Sequence, residues 1–153
     1  MAITLHRDIE RREGWEMRLA HVIVGATHHA YKLGEHDCFR LALAAVEALT
    51  CVDLWPDWQG RYSTRLQSLR LLLDFAGPAP DDDHNPFSRA FTRLFGVETS
   101  GMAYARRGDI AEYIDADGQQ HLGVVTGTRV AVLGEHRLLT VRLDECAHCW
   151  RIG

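Results

Sequence analysis

The sequence predicts an α+β domain with N-terminal helices packed on a C-terminal antiparallel sheet. Apolar residues recur with helical spacing up to about Phe95, and beyond Gly96 they fall in short runs separated by turn residues. Helices first and a meander of strands second is the α+β order. The length of 153 residues fits one domain spanning 1–153. A chain of that size buries roughly 70% of its unfolded surface and needs neither metal nor disulfide to hold a core.

The first helix is expected over about Asp8–Val24, with Trp15, Leu19, Val22 and Ile23 on one face and Gly25 as a stop. A polar linker with His28, His29 and Lys32 leads to a second helix beginning near Asp37 or Cys38. Leu41, Ala42, Ala45, Val46 and Leu49 repeat with helical spacing there, and only Arg40 and Glu47 break the apolar character, so this is a core helix. A loop with Trp55, Pro56, Trp58 and Gly60 precedes a third helix. Thr64 and Gln67 have capping-box spacing ahead of Leu69, Leu72, Leu73 and Ala76. Gly77, Pro78, Pro80 and Asp81 to Asp83 form a loop. Asn85 caps a short helix with Pro86 first and Phe87, Phe91, Leu94 and Phe95 on one face. Four strands are then expected: Asp109–Ile114, Gln119–Thr126, Val130–Leu133 and Leu138–Leu143, with Trp150 and Ile152 as a terminal edge.

Composition narrows the function classes. Hydrophobic residues make up 46% and charged residues 25%, as in an ordinary globular protein. The net charge of −4 comes from 17 basic and 21 acidic residues mixed along the chain, with no basic stripe, so no nucleic-acid partner is expected. Lys32 is the only lysine, which points to genome composition rather than chemistry. No stretch reaches the ~20 apolar residues of a membrane span, and the charged start Met1–Trp15 lacks a signal-peptide core. The four cysteines show no dense pairing framework, which suits a reducing birthplace.

Chemistry concentrates at Gly34-Glu35-His36-Asp37-Cys38. A cysteine in the first turn of a helix feels the positive end of the dipole, which favours thiolate, and its backbone N–H can serve an oxyanion hole. The competing reading is a buried core cysteine. A nucleophile needs a base, and His121 stands out among nine histidines because it opens the run His121-Leu122-Gly123-Val124-Val125. The competing reading is a histidine facing solvent. Cys146-Ala147-His148-Cys149 supplies at most three ligands of the four a closed zinc site needs, so no metal or other cofactor is expected. Trp55, Trp58 and Tyr62 read as aromatics packed over a helix rather than a sugar-stacking surface.

Gly34-x-x-Asp37-Cys38 before an alanine-rich helix, then Arg107-Gly108-Asp109-Ile110, then His121-Leu122-Gly123-Val124-Val125-Thr126-Gly127, resembles the NlpC-type cysteine peptidases in order and spacing. The resemblance is closer to small tail-module proteins of phages and prophages. These share the leading tryptophan helix, an Arg61-Tyr62 after a glycine, and a C-terminus like Trp150-Arg151-Ile152. It implies a papain-like fold, Cys38 as nucleophile, His121 as general base and peptidoglycan stem peptides as substrate. It also implies a place in the virion tail, with a tail hub or other tail-tip proteins as partners. The third, orienting residue of such sites lies about one strand beyond the histidine, where this chain has the apolar Val130 to Leu133. Glu112 is a substitute if Ile114 pairs with Gln119, which sets Glu112 opposite His121. A hairpin loop of Asp117-Gly118 alone sets Ile114 there instead. Three readings follow: a hydrolase, a weak or inactive tail component of the same fold, and an intracellular acyl- or amide-transferring enzyme.

Overall fold

The computed structural model describes residues 2–78, 86–99 and 101–153. Among the described residues four α-helices, α1 (Trp15–Ala26), α2 (Cys38–Thr50), α3 (Arg65–Ala76) and α4 (Pro86–Phe95), precede the strands of an antiparallel sheet. The strands are β1 (Val97–Glu98), β2 (Ile110–Ile114), β3 (Gln120–Val125), β4 (Arg129–Leu133), β5 (Leu138–Arg142) and β6 (His148–Arg151). Their order is β1-β6-β2-β3-β4-β5, so five strands form the body and the two-residue β1 trims one edge. The domain is therefore α+β. The expected terminal edge is an inner strand: β6 pairs with β2 through Ile110–Trp150 and with β1 through Glu98–Trp150.

Helix α1 starts later than the spacing predicts, because Gly14 takes a left-handed φ of 80°. The residues before it run against the end of α2, where the Arg12 N–H donates to the Leu49 carbonyl at 2.7 Å. The Arg18 guanidinium reaches back to the Ala48 and Glu13 carbonyls, each at 2.8 Å. Helix α3 forms as expected, with both halves of the Thr64–Gln67 capping box in place. Asn85 as the cap of α4, and the Pro80 to Asp83 loop, lie outside the described residues.

Helix α2 is the centre of the molecule. Leu43, Ala45, Val46 and Leu49 are wholly buried, and the helix lies across β3 and β4. Its partners in the main core include Ile110, Leu122, Val124, Trp150 and Ile152 from the sheet, with Trp55, Trp58 and Tyr62 also enclosed. Those three aromatics pack over the helix. A smaller core of Ala111, Val125, Val130, Val132 and Cys149 lies on the opposite sheet face. Burial of side chains such as Leu43 and Leu49 contributes about 1.5–3 kcal/mol each, which makes α2 the rigid base for whatever its first turn carries.

Candidate functional site

Cys38 is the first residue of α2. The turn before it is built by Asp37, whose carboxylate is almost fully enclosed. Asp37 Oδ1 accepts from the Arg40 N–H at 2.8 Å and caps the helix, while Oδ2 accepts from the Gly34 N–H at 2.8 Å and the Tyr62 hydroxyl at 2.6 Å. Gly34 is required on two counts. Its φ is +88°, and a Cβ there would stand 2.3 Å from the Tyr62 carbonyl oxygen. Tyr62, which the sequence placed among the packed aromatics, thus holds the turn from across the chain.

The Cys38 side chain lines a cavity of about 350 Å³ between α2, α3, α4 and the start of β3. The residue keeps some exposed surface, but burial acts at its sulfur. That burial, reinforced by the Asp37 charge, pushes the thiol up to about 11 against the pull of the Leu122, Cys38 and Phe39 N–H groups. The helix terminus is therefore outweighed, and the resting sulfur at neutral pH is a thiol. Burial also raises Tyr31, in the same wall, to about 12; the Cys38 and Asp37 charges add to this and Arg65 opposes it.

His121 lies in the wall of the same cavity. Its ring engages elsewhere, with Nε2 2.8 Å from Asp115 Oδ2. That contact holds the Asp115 carboxyl below its ordinary value, helped by the Gln119 N–H. No hydrogen bond joins the Cys38 sulfur to the His121 ring among the described residues. The hairpin register explains the placement. Asp115 faces Gln119 across the turn through its N–H at 2.9 Å, Ile114 pairs with Gln120, and Tyr113 pairs with His121. Neither register expected from the sequence occurs. Glu112 pairs with Leu122, on the face α2 covers, and accepts from the Gln120 amide at 2.8 Å. His121 shares the other face with Tyr113, their ring centroids 6.2 Å apart. The carboxylate on His121 is thus Asp115, and the Asp115-x-Asp117-Gly118 turn was its only sequence signal.

Other sequence features resolve into structure. Gly123 of the histidine–x–glycine run sits where a Cβ would come within 2.5 Å of Val130 Cγ1 and 2.8 Å of the Ala131 carbonyl. Asp109 is wholly buried; it pairs with Arg11 at 2.9 Å and accepts from the Ile152 N–H at 3.0 Å. Cys149 is enclosed in the smaller core, while His148 bonds Glu98. No helix among the described residues is long and apolar enough to cross a membrane.

A family model described as a domain of unknown function (DUF6950) matches residues 10–152, nearly the whole chain. The chain belongs to the DUF6950 family. Within that match lie the Asp37–Tyr62 turn, Cys38, the His121–Asp115 hairpin and the Asp109–Arg11 pair. None of the curated proteins matches this DUF6950 member.

Proposed function

We propose that this DUF6950 protein is a papain-like domain of the NlpC type, a cysteine hydrolase of peptidoglycan stem peptides carried at the end of a phage tail. One observation carries the reading: Cys38 opens the core helix at the wall of a cavity, with the N–H groups of Cys38, Phe39 and Leu122 around its sulfur. In this reading such donors hold the oxygen that becomes negative when the sulfur adds to a carbonyl. The Asp115 carboxylate accepts the proton of His121 Nε2, which leaves Nδ1 as the basic nitrogen. For that nitrogen to take the thiol proton and return it to the leaving amine, the His121 ring has to turn from the sheet face it shares with Tyr113 toward Cys38. The tail setting rests on resemblance, and two of its shared features, Tyr62 and Trp150, support the Cys38 turn and the core beneath it.

A second reading, a structural tail-tip component with little or no catalysis, is favoured by the raised Cys38 thiol and by the commitment of His121 to Asp115. Purified protein incubated with peptidoglycan from pH 6 to 10, beside Cys38→Ala and His121→Ala, separates the two. The hydrolase reading expects new amines from the wild type alone, increasing with pH as thiolate forms. Release no greater than from Cys38→Ala at every pH, with the protein still copurifying with tails, establishes the structural reading.

A further inference from the structure

The walls of the Cys38 cavity are mostly aromatic and aliphatic, with Phe39, Leu69, Leu72, Phe87 and Phe91 among them. Three charged or titratable residues besides the cysteine and tyrosines also line it: Asp37, Arg65 and His121. Asp37 accepts from three donors, and Asp115 engages Nε2 of His121. Arg65 is different. It is exposed at the start of α3, its charge reaches the Tyr31 phenol, and no ion pair engages it among the described residues. Trp58, 1% exposed and in the same wall, has no acceptor for its indole N–H among the described residues. An apolar chamber with one open cation and one unused buried donor matches a ligand with an apolar body and an anionic, acceptor-bearing end.

We propose that the cavity beside Cys38 binds an amphipathic carboxylate, its apolar part against Phe39, Leu72 and Phe91 and its carboxylate paired with Arg65. This rests on reading the cavity as the substrate site and names the class of group that enters it. A volume of about 350 Å³ with mostly apolar walls admits a short aliphatic chain that ends in a carboxylate. The guanidinium fork suits a carboxylate better than a hydroxyl of the same chain length, and that difference is measurable.

The probes are octanoate and octanol, titrated into the intact protein and followed by NMR at the Trp58 indole N–H, assigned with Trp58→Phe. Octanoate is expected to shift that signal and to bind at least tenfold more tightly than octanol. Arg65→Gln should bring the two together without weakening octanol. Leu72→Trp, or Ser68→Phe if the first variant does not fold, should block both. Equal affinities for octanoate and octanol in the wild type overturn the proposal, as does an unmoved Trp58 signal in folded protein or an unaltered preference in Arg65→Gln. Hydrolysis is not measured, so an inactive protein can pass this test and an active hydrolase can fail it.

Discussion

Cys38 shows how a favourable helix terminus can lose to its surroundings. Dipole and N–H groups favour thiolate by an amount that burial and the adjacent Asp37 exceed. With the thiol at about 11, roughly one molecule in ten thousand carries the thiolate at neutral pH. Cys51, by contrast, is exposed and caps α2 in a left-handed conformation. Iodoacetamide at pH 7 should therefore label Cys51 before Cys38, with peptide mass spectrometry as the readout; earlier labelling of Cys38 would mean an activated sulfur. The Asp37 contribution is separately testable. Asp37→Asn removes the charge that raises the thiol, so the pH midpoint of Cys38 alkylation should fall. The same change leaves an amide facing the Gly34 and Tyr62 donors, which should cost about 1–3 kcal/mol in urea unfolding. A midpoint that stays or rises would show that burial alone sets the thiol.

At the scale of elements, two turns decide where the reactive groups go. The turn before α2 depends on Gly34, where left-handed backbone and the Tyr62 carbonyl both oppose a side chain. Gly34→Ala should cost about 2–4 kcal/mol, from strain plus displacement of the 62–63 backbone. Gly60→Ala is the control: its φ is +76° but nothing lies within 4 Å of a Cβ, so strain alone, about 1–2 kcal/mol, is expected. Similar midpoint shifts for the two variants would show that the Tyr62 contact is not what constrains the turn. The second turn, between β2 and β3, sets the face on which His121 lies. Asp115 fastens it twice, accepting from the Asp117 and Gln119 N–H groups through Oδ1 and holding His121 through Oδ2.

On the scale of the whole molecule, the ends of the chain close on Asp109. The Arg11 guanidinium donates to Asp109 at 2.9 Å and to the Ile152 carbonyl at 2.8 Å, tying the N-terminal stretch and the C-terminus to β2. Arg11→Ala leaves a buried carboxylate without its cation and should cost about 3–5 kcal/mol, read as a lower thermal midpoint. A loss below 1 kcal/mol would mean that the remaining N–H donors compensate. Alkaline pH tests the cores together. Burial raises the Cys38, Cys146 and Cys149 thiols to about 11, 11 and 12, from an ordinary value of 9.0. The unfolded chain loses those protons first, so this stability is complete below pH 9 and is lost as pH rises through the folded values. The thermal midpoint should fall between pH 9 and 11, and fall less in Cys149→Ala. An equal fall in that variant would assign the effect to other groups.

The order of elements was legible from local pattern, because period, caps and turn residues are properties of short stretches. Helix α2 starting at Cys38, the Thr64–Gln67 box and the β2–β3 hairpin were all readable that way. Shared placement around one cavity depended on packing. Tyr62 reaches Asp37 across 25 residues, and no local pattern reports that bond. The hairpin register turned on whether the turn spans two, three or four residues, and each step moves every later side chain to the other face. That difference set His121 on Asp115 and Glu112 against Leu122. The sequence by itself determined that a cysteine would open the central helix. Only the tertiary structure decided the protonation of that cysteine, because burial and a neighbouring carboxylate act through space.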